Sequence, residues 1–413
     1  MAILLIYIIV FIIAFYAVHL VTKMMTARKD YTSLKTVTFG DESAVSPNRP
    51  ASIISVLAIF MIWGAFTGSK LMPFHAPGPF IGETSFTYTA MNAAGETDGA
   101  EVIVTVYDIQ SGKTPPKMKI DPGPGFAKND TANIVAWRSG LIKVQRNDVG
   151  SKEDGYKITE INGQEISPSS EVFIDDARIY MTAKGTLSFT PEKGWQMQPI
   201  WLPSPEAVWS RLVLVASEGY KTFTLAEHLG WSLLRVVVGF LAGALIGIPL
   251  GYAMGLSGWF RGWFDPIVEF MRPVPPLALI PLVIIWFGIG EEGKIILLFL
   301  ASLWIMTISA RAGVSGVNIS KIHAAYSLGA SKRQIMRLVI VPNSLPEIFT
   351  GARVSMGVCW GTVVAAELVA AQKGAGMMII NASKFQMTDL VIMGIVLIGV
   401  IGYSIDILMR IAE

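Results

Sequence analysis

The chain has 413 residues, of which 52% are hydrophobic and only 15% are charged. Soluble domains carry charge on about a quarter of their residues, so this composition excludes an ordinary soluble enzyme. The formal net charge of +2 is too small to indicate a nucleic-acid partner. The single cysteine, Cys359, cannot form a disulfide within the chain, and the four scattered histidines indicate no metal site.

The first part of the chain predicts two membrane helices joined by a cytoplasmic linker. Residues 1–22 form an apolar run with no basic residue before it, which favours a retained transmembrane helix over a cleaved signal peptide. The residues that follow are rich in lysine and arginine, so by the positive-inside rule the N-terminus lies outside and residues 23–50 are cytoplasmic. Residues 51–68 form a second span that returns the chain to the outside.

Residues 69–200 differ from the rest of the chain, because charge, glycine and proline rise and long apolar runs disappear. Alternating stretches such as 101–107 and 156–161 predict half-buried strands. We therefore predict an inserted, β-rich periplasmic domain. It would dock a binding protein, contact a neighbouring subunit or enlarge an outer vestibule, and its sequence does not choose among these. The predicted core members are Ile103, Val104, Val106, Ile158, Ile161, Phe173, Ile179 and Phe189.

Residues 201–413 return to long apolar stretches, and the chain as a whole is predicted to be an all-α polytopic membrane protein with about seven transmembrane helices and the inserted β-domain. Counting the crossings puts the C-terminus in the cytoplasm. The five predicted spans in this part of the chain are 229–256, 274–287, 294–311, 345–371 and 389–410. The span 229–256 carries a glycine every four residues, which predicts a helix face packed closely against another helix. The glycines are Gly239, Gly243, Gly247, Gly251 and Gly255.

The segment 311–346 contains five basic residues and no carboxylate, which places it in the cytoplasm. Its pattern of two alanines, a glycine five residues after the first, and a later Val-x-Val-Pro resembles the coupling motif of binding-protein-dependent ABC importer permeases. The resemblance implies a coupling helix at about 318–337 that a separate ATPase subunit grips. Gly329 would let the chain turn, and Pro342 would end the second helical stretch. The coupling residues are His323, Ala324, Ala325, Gly329, Ala330 and Pro342.

His323 departs from the motif, because the family usually has glutamate there, so the role of that glutamate is not carried over to this chain. A histidine on a helix is more often a plain polar surface residue than a functional one.

Further segments resemble the nitrate, sulfonate and taurine branch of these permeases, whereas the first 200 residues depart from that pattern. The segments are 202–205, 232–235, 265–266, the proline-rich run 272–282, 286–291, and Ala366 with Glu367. The resemblance implies a type I importer permease fold in the bacterial inner membrane, surrounded by lipid and paired with a second permease subunit as a homodimer. A periplasmic binding protein would deliver a small anion, taurine or another sulfonate first and nitrate next. A cytoplasmic ABC ATPase dimer would use the ATP and magnesium, so this chain would bind no cofactor and no nucleic acid and would be no enzyme.

Two buried charges are candidates for a gate in the translocation pathway, since ionisable groups within spans are costly. Arg235 and Glu367 lie at similar depth near the outer ends of their spans, and they would pair across the pathway. The competing interpretation is a static ion pair or snorkelling to the interface. Trp304, in the middle of its span, would face substrate or pack against neighbouring helices.

Gly288, Gly293 and Lys294 match most of a nucleotide-binding P-loop, and we reject that interpretation. The motif needs serine or threonine after the lysine, where this chain has Ile295, and two glutamates within it would repel phosphate.

Two other functions compete with the permease interpretation. A membrane-anchored sensor or scaffold acting through the β-domain would need a signalling domain inside, and residues 23–50 are too short and polar to supply one. An ion-coupled transporter commonly shows inverted repeats and intramembrane carboxylates, whereas this sequence has no internal repeat and few such carboxylates.

Overall fold

The computed structural model describes residues 2–26, 49–108, 114–116, 118–150 and 155–412. The chain divides into two compact units, Met1–Pro205 and Glu206–Glu413. Residues 27–48, which are most of the predicted cytoplasmic linker, lie outside the described residues.

The first unit begins with two apolar helices that pack against each other, α1 (Ala2–Thr26) and α2 (Arg49–Phe66). The stretch Ile3–Val21 of α1 is long and apolar enough to cross a membrane. The apolar part of α2, Pro50–Phe66, is shorter. At 1.5 Å per residue it is still about 25 Å long, close to the thickness of a hydrocarbon core.

Among the described residues after α2, nine strands form two sheets. The five-stranded sheet has the order β3-β2-β1-β5-β6, and the four-stranded sheet has the order β4-β9-β8-β7. Strands β2 and β3 are parallel, whereas the other pairs are antiparallel. The strands are β1 (Gly82–Met91), β2 (Thr97–Tyr107), β3 (Asp130–Val135), β4 (Gly140–Ile142), β5 (Lys157–Ile161), β6 (Gln164–Glu165), β7 (Glu171–Ile174), β8 (Ala177–Met181) and β9 (Leu187–Pro191).

Side chains from both sheets form one hydrophobic core, in which Phe86 stacks on Phe189 with ring centroids 6.2 Å apart. Six of the eight predicted core residues are buried there. Phe173 is not, since 66% of it is exposed, and Ile103 is only half-buried. Strand β7 is four residues long and buries Val172 instead of Phe173, so alternation alone could not fix which face turns inward.

A half-buried carboxylate, Asp148, binds two tyrosines of this core. Tyr88 donates a hydrogen bond to Asp148 at 2.9 Å, and Tyr156 donates one to the other oxygen of the same carboxylate. Burial, together with the negative Asp148, raises the pKa of both phenols above their ordinary value.

The second unit is helical. Its helices are α3 (Pro205–Glu218), α4 (Leu225–Leu256), α5 (Gly258–Met271), α6 (Ile280–Phe287), α7 (Glu291–Ser315), α8 (Ile319–Ser327), α9 (Lys332–Ile335), α10 (Val341–Ala370), α11 (Ala375–Lys384) and α12 (Thr388–Ala412). Among the described residues of the whole chain, five helical stretches are long and apolar enough to span a membrane. Helix α5 and the stretch Pro276–Phe287 add a sixth if this bent pair is one broken span. These six stretches and the shorter helix α2 give seven candidate spans among the described residues, compared with about seven predicted transmembrane helices.

The predicted span over 274–287 needs correction. The structure has a 3-10 turn at Pro276–Leu279 and then α6, whose eight residues are too short to cross a bilayer. Helix α5 precedes this stretch with a bend of 91°. The prolines remove backbone donors and set the chain off the helical path, which explains the break.

The glycines of α4 pack against α7, which confirms the predicted contact face. A Cβ atom at Gly239 would lie 2.4 Å from Leu298 Cβ, and one at Gly243 would lie 2.5 Å from Ser302 Cβ. Real side chains never approach so closely, so only glycine permits this separation of the two backbones. The pairing holds α4 and α7 in fixed register.

Candidate functional site

Four charged side chains meet at one end of the second unit, and we call Arg235, Glu291, Lys294 and Glu367 the Arg235 cluster. Arg235 binds Glu291 through two nitrogens, with Nε to Oε2 at 2.5 Å and Nη2 to Oε1 at 2.8 Å. Its Nη1 donates to Glu367 Oε1 at 2.6 Å, and Lys294 Nζ donates to Glu291 Oε1 at 3.1 Å. The structure therefore brings Arg235 and Glu367 together, as the sequence predicted.

The close packing of α4 on α7 positions these charges. Arg235 lies one turn before Gly239 on α4, so its guanidinium reaches the first turn of α7, where Glu291 and Lys294 lie. Thr224 and Glu227 form a capping box that fixes where α4 begins. The side chain of Arg235 is only 1% exposed, so its charge depends on these partners for solvation.

Glu367 is held by more than its ion pair. Ser232 Oγ donates to Oε1 at 2.7 Å, and the backbone N–H of Gly376 donates to Oε2 at 2.9 Å. The adjoining N–H groups of Gly374 and Ala375 donate to His228 Nδ1 and Ser232 Oγ. Side chains from α4 and α10 thus cap the start of α11, satisfying donors that a helix terminus leaves unpaired.

Sequence reasoning missed half of this cluster. Glu291 ends the family-like segment 286–291, and both Glu291 and Lys294 belong to the rejected P-loop match, but neither pattern indicates that they bind Arg235 or each other. No sequence pattern predicts helix α11. The available signal was the spacing of Glu291 and Lys294, three residues apart at the start of an apolar stretch, which places both on one face of a helix. In the structure the P-loop-like segment connects α6 to α7, and Lys294 binds Glu291.

Trp304 lies in the middle of α7 and is half-buried. Its buried indole Nε1–H has no hydrogen-bond partner among the described residues. An unpaired buried donor is costly, so a partner group in the assembled protein would stabilise it.

A second charged group lies at the other end of α7, and we call Arg311, Asp265 and Glu269 the Arg311 cluster. Arg311 forms ion pairs with both carboxylates of α5, the one with Glu269 at 3.1 Å. This cluster is more open to solvent, because Arg311 is 17% exposed and Glu269 48%.

Most of the predicted coupling residues lie in helix α8 or just after it, and this helix is shorter than the predicted range. Asn318 caps its start by accepting from Ser320 N at 2.9 Å. At its end Gly329 has φ +80°, and Ala330 N donates to Ala325 O at 3.0 Å, the pattern of a Schellman motif. Gly329 is therefore required at this position for its backbone conformation.

The surface of α8 is open. His323, Ala324 and Gly329 are exposed, whereas Ala325 and Ala330 are half-buried. Leu328 is 88% exposed, and basic residues lie nearby at Lys321, Lys332, Arg333 and Arg337. Ile319 and Tyr326 of α8 are exposed as well, and several exposed apolar side chains on one short segment are typical of a surface that binds another protein.

The prediction that Pro342 ends a helical stretch is wrong. A π-helical turn at Met336–Ile340 leads directly into α10, and Pro342 lies in the first turn of that helix. The first turn tolerates proline because its N–H has no partner there in any case, and the wide π turn relieves the clash with the preceding carbonyls.

Residues 243–413 match the family described as binding-protein-dependent transport system inner membrane component. The taurine transport system permease protein TauC of Escherichia coli (strain K12) is 47% identical over 215 residues, which cover 52% of this chain and 78% of TauC. The chain belongs to the permeases of binding-protein-dependent ABC importers.

Two further permeases, SsuC and NrtB, agree with this family. SsuC of Escherichia coli (strain K12), named for the transport of aliphatic sulfonates, is 38% identical over 220 residues, 53% of this chain and 82% of SsuC. The nitrate import permease protein NrtB of Synechococcus elongatus is 30% identical over 178 residues, 42% of this chain and 64% of NrtB. Among solved structures, a chain of the MetNI methionine ABC transporter in an inward-facing conformation matches with 20% identity and a TM-score of 0.38. The matched region covers 46% of this chain and 96% of the MetNI chain.

This permease is a multi-pass inner membrane protein with the type I ABC importer permease fold. It is a translocation subunit and no enzyme, since ATP is hydrolysed by a separate subunit of such importers. ABC importer permeases work with an ATPase and a binding protein. Among the residues that the structure describes, no three His, Cys, Asp or Glu side chains come together as a metal site would need.

Proposed function

We propose that this permease imports a small anion, with taurine or another sulfonate as the first candidate and nitrate as the second. The observation that carries the proposal is the 47% identity to a taurine permease. The similarity to SsuC and NrtB supports the same class of substrate. The relatives named are all transport subunits and lend no support to the sensor or scaffold alternative.

Arg235 and Glu367 close the outer end of the translocation pathway. In support, their cluster joins α4, α7, α10 and the start of α11, so opening this end separates paired charges. Breaking such pairs costs free energy unless substrate or water replaces the lost bonds. Trp304 contacts substrate further along the pathway, because its unpaired indole N–H suits an anionic oxygen.

The ATPase subunit grips α8 and its flanking turns. Ala324 offers a small exposed side chain that permits close approach, and Ala325, Gly329 and Ala330 form the cap that fixes the end of the helix. Pro342 helps to aim this segment by starting α10. His323 is an exposed contact residue that replaces the usual glutamate.

The proposed topology follows the crossing count. Residues 1–22 and 51–68 are membrane helices around a cytoplasmic linker at 23–50, with the N-terminus outside. Residues 69–200 form the periplasmic β-domain, and residues 201–413 form the permease core, with the coupling segment at about 318–337 and the C-terminus in the cytoplasm. Two copies of the chain form the permease dimer, which binds a cytoplasmic ATPase dimer and receives substrate from a periplasmic binding protein.

The test is ATPase activity of the permease and its ATPase subunit reconstituted in lipid with the partner binding protein. Binding protein loaded with taurine, ethanesulfonate or nitrate is added in turn, and the empty protein is the control. We expect stimulation by at least one loaded form. A stable permease and ATPase complex that responds to none of these anions would contradict the proposed substrate class.

A further inference from the structure

Glu291 differs from the other members of the Arg235 cluster in its access to water. Its side chain is 42% exposed, whereas Lys294 is 6%, Arg235 1% and Glu367 0% exposed. A carboxylate at the surface regains hydration when it leaves an ion pair, but a buried carboxylate does not. Of the four, Glu291 is therefore the side chain whose departure costs least.

The bonds of the cluster divide between its two carboxylates. Glu291 accepts from Arg235 Nε, Arg235 Nη2 and Lys294 Nζ. Glu367 uses only Nη1 of Arg235 and is otherwise fixed by Ser232 and Gly376. Departure of Glu291 would therefore leave Arg235 in place and free three donors. Two cations and one remaining carboxylate would leave one positive charge.

Three converging donors with a surplus positive charge match one chemical class of ligand. A sulfonate or a nitrate presents three oxygens and one negative charge, and arginine binds such planar or tripodal groups through paired N–H bonds. Trp231 supports the guanidinium from the side, with Arg235 Cζ 5.8 Å from its ring centroid.

The hydrogen-bond donors of the cluster decide how an anion would enter. Arg235 Nε, Arg235 Nη2 and Lys294 Nζ already donate to Glu291, so an anion gains these donors only by taking the place of the Glu291 carboxylate. Gly288, with φ +73°, lies three residues before Glu291 in the turn from α6 and gives the backbone freedom for that exchange.

We propose that Glu291 is an internal substitute for the transported anion. When the anionic group of the substrate reaches the cluster, it displaces the Glu291 carboxylate from Arg235 and Lys294, while Glu367 holds Arg235 in position. The inference rests on the proposed import of a small anion and adds the binding site and the order of exchange. It also gives a reason for selectivity, because a neutral compound cannot replace a carboxylate between two cations.

The test is binding of ethanesulfonate to the purified permease and ATPase complex in lipid nanodiscs, without binding protein. Glu291→Gln removes the competing charge and keeps the shape of the side chain. We expect this variant to bind ethanesulfonate about 10-fold more tightly than the unmodified complex, a change that corresponds to about 1.4 kcal/mol. The neutral analogue ethyl methyl sulfone should show no gain.

Two further variants make the result specific. Glu292→Gln alters the adjacent exposed glutamate and should bind ethanesulfonate like the unmodified complex. Adding Lys294→Met to Glu291→Gln should abolish the gain. Where Glu291→Gln does not assemble with the ATPase, Glu291→Ala replaces it with the same expectation.

Binding of ethanesulfonate that is no tighter in the Glu291 variants, or an equal gain for the sulfone, would overturn the inference. This outcome is distinguishable from failure of the proposed function. The binding measurement needs no binding protein and no turnover, whereas the proposed function fails if loaded binding protein does not stimulate the unmodified complex.

Discussion

The two ends of α7 carry similar charges in different surroundings. About 30 Å of helix separates Glu291 from Arg311, a distance that matches the hydrocarbon thickness of a bilayer. At one end Arg235 and Glu367 are buried, and Glu367 accepts hydrogen bonds of 2.6 Å from Arg235 and 2.7 Å from Ser232. At the other end Arg311 pairs with Asp265 and Glu269, which are 30% and 48% exposed. Burial, more than charge, should therefore decide what each cluster contributes.

The largest effect is expected for Arg235→Gln, which leaves Glu367 buried without its cation. Removing one partner of a buried pair costs about 3–5 kcal/mol, so we expect a large loss of thermal stability of the purified complex. The double variant Arg235→Met with Glu367→Met removes both charges and should recover most of that stability. It should still lack stimulation by loaded binding protein. Wild-type stability and stimulation in Arg235→Gln would contradict both the energetic account and the gate.

The next effect concerns the packing that sets the distance between α4 and the two ends of α7. We expect Gly243→Ala to destabilise the complex by about 1–3 kcal/mol, because its Cβ atom would lie 2.5 Å from Ser302 Cβ and 2.8 Å from backbone atoms. Gly230→Ala on the same helix is the matched control, since nothing lies within 4 Å of its Cβ position. Thermal unfolding of both variants is the measurement. Equal behaviour would mean that the two helices are less tightly packed than the structure has them.

A smaller effect, on binding alone, is expected beyond the Arg311 end of α7. Burying the exposed Leu328, the residue after α8, in an ATPase interface would be worth about 1.5 kcal/mol, so Leu328→Ser should weaken the complex about 10-fold. The stability of the isolated permease should not change. Leu141→Ser, an exposed leucine in the β-domain, is the control. Unchanged affinity for the ATPase would argue against α8 as the contact.

The smallest effect is expected for Arg311→Gln. Water solvates the partners of this arginine, and partly exposed ion pairs contribute about 0–1 kcal/mol. We therefore expect a small change in thermal stability compared with Arg235→Gln, measured under the same conditions. A loss as large as that of Arg235→Gln would remove the distinction between the two ends.

The sequence predicted the features that depend on local pattern. Long apolar stretches predicted α4, α7 and α12, the glycine spacing predicted a packing face, and the alternation at 101–107 predicted strand β2. The pairing of Arg235 with Glu367 followed from their similar depth near span ends.

The remaining features depend on contacts between distant segments. Glu291 lies 56 residues after Arg235, so nothing local shows that they pair. Helix α11 is ten residues long, and its first donors bind side chains of α4 and α10, which no local pattern reveals. Phe173 lies on the outer face because the register of a four-residue strand is set by its neighbours. The bend before α6 depends on how its prolines pack.

The most direct test of the gate is a reversible lock on the Arg235 cluster. Ser232 Oγ lies 3.0 Å from Ala375 N, so the two positions are in contact, and the pair Ser232→Cys with Ala375→Cys, in a Cys359→Ser background, is designed to link α4 to α11 by a disulfide. The measurement is uptake of radiolabelled taurine into proteoliposomes, with the reduced form of the same protein as control. The account predicts that uptake stops when the disulfide forms and returns after reduction. Uptake at the reduced rate with the disulfide intact would contradict it.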